Sequence, residues 1–219
     1  MQEAWTLARA KKTLPAPAHW HISELGFWQD RYGSSFAAER ETIWWSGWEW
    51  DEGKRIEHAG QVLTVKKVSR GDVYPDFLRL TNLRLASERF RDLVEALEPD
   101  VHQFFPVKMV RKSGAPISLP YFLLNVAQSF DCIIPEKSDL AWRVTSSPAG
   151  SIQREPLRYQ VINSHDGLVL KKDVVRGRHM FRSQGKLPLK GCLFFSNELM
   201  TKVTEAGLKG VWNHPTREE

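Results

Sequence analysis

The chain has 219 residues, 42% hydrophobic and 11% aromatic, enough to bury a sizeable core and too apolar for a disordered chain. Lys and Arg number 31 against 26 Asp and Glu, a net charge of +5 with a pI near 9.2; the basic residues are scattered, which fits a solvated surface better than a phosphate-binding stripe and speaks against nucleic acid as a partner. No run reaches the roughly 20 apolar residues of a membrane-spanning helix, and no apolar signal segment follows the first charges, so a soluble, cytoplasmic protein without a membrane partner is expected.

Residues 1 to 21 carry Lys11, Lys12, Pro15 and Pro17 and end in His19-Trp20-His21. Two histidines at i, i+2 share one side of a strand, and imidazole is a common zinc ligand. No Cys, Asp or third His stands at a ligand spacing beside them, and His58, His102, His165, His179 and His214 are equally isolated. A metal site is not expected.

Between Gly26 and Glu57 lies the most unusual composition of the chain. Trp44, Trp45, Trp48 and Trp50 fall within seven positions, interleaved with Glu49, Asp51 and Glu52 and preceded by Glu39 and Glu41. In an extended backbone Trp44, Trp48 and Trp50 share one face, with Trp45 and Glu49 on the other. Exposed tryptophans stack on sugars or bases or anchor protein interfaces. The acidic neighbours argue against a nucleic-acid backbone and for a basic protein surface. The competing structural reading is that the indoles fill a local core.

From Gln61 the chain alternates as a strand does, with Val62, Thr64 and Lys66 against Leu63, Val65 and Lys67, followed by a turn at Ser69-Arg70-Gly71-Asp72. Phe77, Leu78 and Leu80 continue the strand pattern. A soft boundary is expected near Leu80 to Leu85, dividing a tryptophan-rich α+β part, 1–82, from a second α+β domain, 83–219, unless the two form one continuous fold. Ser87 is a helix N-cap, and Phe90, Leu93, Val94 and Leu97 gather one apolar face before Pro99 ends the helix. Phe104 to Val110 and Tyr121 to Val126 then read as two strands beneath that helix.

Cys132 and Cys192, the two cysteines of the chain, sit in apolar runs that suit reduced buried thiols, with a single bridge between them as the alternative. Val144 to Pro156 is rich in Ser, Pro and Gly and reads as a surface loop. Arg158 to Ile162, Leu168 to Leu170 and His179 to Arg182 read as short strands. Lys171, Lys172, Arg176 and Arg178, like Lys66, Lys67 and Arg70, form a basic cluster whose ordinary meaning is a solvated face. Leu193-Phe194-Phe195 suits a central strand, and Ser196 or Asn197 caps a second helix with Leu199, Met200 and Val203 inward and Gly207 at its end. Leu208, Val211 and Trp212 close the core, and Pro215 to Glu219 reads as a mobile tail. The fold expected is α+β, mostly antiparallel sheet packed against a few helices, with a smaller tryptophan-rich amino-terminal part.

No nucleophile elbow, phosphate loop, dinucleotide fingerprint or metal-protease motif is present, so no catalytic residue and no cofactor is assigned. Several segments in order do carry a resemblance: Ser87 to Leu97, Gln103-Phe104-Phe105-Pro106-Val107, Leu119 to Val126 with Asp131, Leu193 to Leu199, and Ala206-Gly207-Leu208-Lys209-Gly210-Val211. Across roughly 83–212 the chain resembles a family of bacterial immunity proteins, the eleventh catalogued among polymorphic-toxin systems. The tryptophan-rich stretch lies outside those segments. The resemblance implies a non-enzymatic, stoichiometric inhibitor of a cognate toxin domain in the producing cell, monomer or homodimer. On that implication Trp44, Trp45, Trp48 and Trp50 are candidate anchors, and Glu49, Asp51 and Glu52 candidate partners for basic toxin residues. A carbohydrate-binding module with a tryptophan platform is the alternative, and a small hydrolase assembled only in space a weaker third.

Overall fold

Ser87 stands where a strand becomes a helix, and its side chain explains the switch. Its backbone is extended (φ −68°, ψ 163°), its hydroxyl accepts the Phe90 amide at 3.2 Å, and it donates to Asp76 Oδ1 at 2.8 Å. The helix that follows turns Phe90 and Val94 into the core, with Leu93 and Leu97 at its rim. It ends at Leu97, as Pro99 requires, and the chain reverses through Asp100 at φ 59°, a conformation that Asp tolerates better than most side chains.

The computed structural model describes residues 19–22, 36–38, 53–56, 63–67, 73–80, 83–138, 140, 142–146, 152–156, 167–184, 192–211 and 213–219. In chain order these hold β1 (His19–Ile22), β2 (Phe36–Ala38), β3 (Leu63–Lys67), β4 (Phe77–Leu80), β5 (Leu83–Ser87), α1 (Glu88–Leu97), β6 (Gln103–Arg111), β7 (Tyr121–Asn125) and β8 (Ser129–Phe130). There follow β9 (Trp142–Ser146), β10 (Ile152–Pro156), β11 (Val169–Leu170), α2 (Lys172–Val175), β12 (Met180–Ser183), β13 (Leu193–Ser196), α3 (Asn197–Glu205), β14 (Asn213–Pro215) and β15 (Arg217–Glu218). The fold is α+β, and most of its strand pairs are antiparallel.

One sheet has six strands in the order β2-β3-β6-β7-β5-β4. Its parallel pair, β3 with β6, is joined by the β4–β5–α1 crossover, the kind of long connection a parallel pair needs. The second sheet runs β14-β1-β13-β12-β8. β13 is central there, as its apolar run predicts: Phe195 points to one core cluster and Phe194 to another. Strands before residue 83 therefore enter both sheets.

α1 lies on β5 and β7, α3 lies on β13 and β1, and the two helices touch. The shared core draws Phe77, Ala86 and Leu124 from the first sheet and Met180, Leu193 and Phe195 from the second. Beyond the first sheet a second cluster holds Leu63, Val65, Leu85, Met109 and Leu123; beyond the second sheet a third holds Cys132, Leu170, Phe181 and Phe194. Both cysteines are free thiols.

Two sequence expectations are corrected. The stretch read as a loop from Val144 lies within an antiparallel hairpin, β9 with β10, in which Arg154 faces Val144 and Gln153 faces Thr145. Its Ser, Pro and Gly content is concentrated in the connection between the two strands. The carboxy-terminal tail is not loose either: β14 pairs with β1, β15 pairs in parallel with β11, and Thr216 between them is buried. The partners of that tail lie far away along the chain, so no local pattern announces the pairing.

Candidate interaction surface

Trp44, Trp45, Trp48, Glu49, Trp50, Asp51 and Glu52 lie outside the described residues, as do Arg158 to Ile162 and Trp212. From Gly53, one residue after Glu52, the chain is held against β8 and the ends of β6 and β7. A Cβ on Gly53 would stand 2.5 Å from Ser129 Cβ, so only glycine lets the backbone pass this close to β8. The Lys54 carbonyl accepts from Asn125 Nδ2 at 2.7 Å. Gln103 meets Ile56 twice, its Oε1 taking the Ile56 amide at 2.7 Å and its Nε2 giving to the Ile56 carbonyl at 2.9 Å. Asn125 Nδ2 also donates to Gln103 Oε1 at 2.8 Å, and Arg55 Nη1 donates to the Asp100 carbonyl at 2.7 Å. The segment that leaves the tryptophan-rich stretch is thus fastened to the ends of β6 and β7.

At the end of α1, Glu98 fastens helix to sheet. Oε1 accepts from the His179 amide at 2.9 Å and from Gln128 Nε2 at 3.1 Å; Oε2 accepts from the Met180 amide at 2.9 Å and lies 2.9 Å from His102 Nε2. Burial opposes a charge on this carboxyl, yet the hydrogen bonds from His102 and the His179 amide outweigh it and hold the group below its ordinary carboxylate range. His102 and His179, isolated in sequence, thereby meet one carboxylate. The sequence offers no spacing signal for this, because the partners are drawn from three separated segments. His19 and His21 lie on β1, and β1 pairs with β14 so that His21 opposes His214 in register. Among the described residues no group of three His, Cys, Asp or Glu is placed to hold a metal ion.

The other chemically active groups are placed for packing. Burial pushes the Cys132 thiol up to about 12, so at neutral pH it is a protonated apolar side chain and not a nucleophile. The Tyr121 phenol, also raised by burial, donates to the Pro75 carbonyl at 2.6 Å. Asp76, buried beside it, takes the Lys209 amide at 2.9 Å as well as the Ser87 hydroxyl, and so joins the Gly207-Leu208-Lys209-Gly210 segment to the start of α1. On the outer side Arg91 lies 4.4 Å over the Phe122 ring and pairs with Asp92 at 2.7 Å. A surface cleft of ≈ 510 Å³ opens between α2, β15 and the start of α3, its walls carrying Lys172, Arg176 and Arg178. No helix among the described residues is long and apolar enough to cross a membrane.

No curated protein matches the chain. The model of one family, described as the Immunity protein family (Imm11), matches residues 11–217. The match reaches well beyond the 83–212 segments that carry the resemblance in sequence, and takes in the tryptophan-rich stretch.

Proposed function

Because the chain belongs to the Imm11 immunity protein family, we propose that it is a stoichiometric inhibitor that binds and neutralises a cognate toxin domain within the producing cell, as part of a polymorphic toxin system used between competing bacteria. The family match over residues 11–217 is the observation that carries this reading. A protein of this kind works by occupying its target, which asks for a rigid scaffold with a few desolvated anchors and charge that speeds encounter. The core shared by the two sheets, α1 and α3 supports this reading.

Trp44, Trp45, Trp48 and Trp50 are proposed as the anchors, and Glu49, Asp51 and Glu52 as the groups that meet basic residues of the toxin. The support is chemical: large rings interleaved with acids suit a basic protein surface. The test pairs the purified chain with the toxin domain encoded by the adjoining reading frame. A 1:1 complex that abolishes toxicity on co-expression is expected. Hot-spot truncation typically removes about 2 kcal/mol or more, so Trp48→Ala with Asp51→Ala should weaken binding roughly thirtyfold or more. Unchanged affinity in a folded double variant removes the patch from the interface, and absence of any complex removes the inhibitor reading.

A further inference from the structure

Residues 53–56 belong to no strand or helix, yet the fold grips them along the backbone. Gly53, at φ 66°, turns the chain against Ser129 of β8. Gln103 then engages both the amide and the carbonyl of Ile56, the two bonds that a residue on a neighbouring antiparallel strand would make. Asn125 Nδ2 donates to the Lys54 carbonyl and to Gln103 Oε1. Gln103 Oε1 therefore faces two donors, which leaves its Nε2 to point at the Ile56 carbonyl. The Ile56 side chain packs on the cluster beyond the first sheet, while Lys54 and Arg55 are exposed.

Two features exceed what packing needs. Asn125 is fully buried, and among the described residues its Oδ1 accepts no hydrogen bond. A buried acceptor left bare is destabilising, and an apolar residue of similar size would avoid it. The bonds from Asn125 and Gln103 also reach only main-chain atoms of residues 54 and 56, so they fix the path of the chain and not the identity of its side chains.

We infer that Gln103 and Asn125 are positioning residues for toxin binding. They hold the strap 53–56 on one path and so set the direction in which the chain leaves Gly53 toward Glu52, Asp51 and the tryptophans. The inference rests on the function and the contact residues proposed above. A contact stretch with a fixed root loses less conformational freedom on docking, because part of its ordering is already done in the free protein. With the strap cut loose, that ordering is deferred to the binding step and the complex weakens.

The test uses the full chain and the toxin domain of the adjoining reading frame. Gln103→Met keeps a side chain of similar length and removes both bonds to Ile56; Asn125→Leu removes the donor to Lys54 together with the bare acceptor. In native-state hydrogen exchange the Ile56 amide of Gln103→Met should lose protection roughly tenfold or more, while the β6 and β7 amides keep theirs. Each variant should bind the toxin domain roughly tenfold more weakly with little change in urea midpoint. Val203→Ala, which opens a cavity in the shared core away from the strap, should lower the midpoint and leave affinity unchanged. Gln103 is only half-buried, so Gln103→Met decides alone should Asn125→Leu not fold. An Ile56 amide that exchanges as in wild type, wild-type affinity in the strap variants, or an equal loss of affinity in Val203→Ala overturns the inference. In each of these cases the inhibitor reading stands as long as Trp48→Ala with Asp51→Ala weakens the complex. If wild type forms no complex, or if that double variant binds as wild type does, the function or the contact residues proposed above fail, and the inference fails with them.

Discussion

A buried carboxylate with four hydrogen bonds is costly to disturb, and Glu98 is that residue here. Replacing it by Gln turns one acceptor oxygen into a donor that faces either the His179 amide and Gln128 or the Met180 amide and His102. Donor then opposes donor at a site 7% exposed, and Glu98→Gln is expected to destabilise the fold by about 3 kcal/mol in urea unfolding. The folded carboxyl sits below its ordinary range, so the stability it contributes is in full force above the unfolded value of about 4.3 and is lost as pH falls through the folded value. Wild type should therefore lose stability steeply below that range, and the variant should show a shallower slope; parallel pH profiles would place the acid sensitivity elsewhere. Nothing in sequence marks Glu98 for this role, since Gln128 is 30 residues away and His179 81.

Elements with local signals were legible and those without were not. α1 announces itself through Ser87, a 3.6-residue apolar period and Pro99, and α3 through Ser196 and Gly207, because caps and periodicity are properties of adjacent residues. The contact that seats the segment after α3 is not local. Phe77 donates its amide to the Lys209 carbonyl at 3.1 Å, bringing Gly210 so close that an added Cβ would lie 2.0 Å from Phe77 O. Gly207 and Gly210 both have positive φ, 62° and 99°, but around Gly207 a Cβ would meet nothing within 4 Å. Gly207→Ala is thus expected to cost only the left-handed backbone penalty, about 1–2 kcal/mol. Gly210→Ala adds a clash with backbone that cannot rotate aside, for about 3 kcal/mol or more in total. Equal losses for the two in thermal or urea denaturation would show that the 209–210 segment yields and that its seat on β4 is soft.

At the scale of the molecule the α+β class was legible from composition and strand-like runs, whereas the way strands are shared was not. β1 and β14 come from opposite ends of the chain, and β3 pairs with β6 across the whole of β4, β5 and α1. Strand pairing depends on which edges meet, and an edge has no sequence signature. The proposed interaction patch is read from composition alone, tryptophan beside acid, and the cations at α2 already cluster in sequence; what needed the fold was the concavity around them. One core joins the two sheets, and Phe90 is at its centre, fully buried, with ring centroids of Phe77 at 5.2 Å and Phe195 at 5.7 Å. Phe90→Ala is expected to cost roughly 3–5 kcal/mol. The sharper question is whether that loss is felt everywhere at once. Cys132 is a reporter for it: it lies in the cluster beyond the second sheet, away from Phe90, and its buried thiol reacts only when that region opens. In a Cys192→Ser background, thiol labelling and far-UV circular dichroism should give the same urea midpoint, and Phe90→Ala should move both by the same amount. A thiol that opens at lower urea than the helical signal, or that ignores Phe90→Ala, would mean that the two sheets unfold separately and that the strands from before residue 83 do not weld them into one unit.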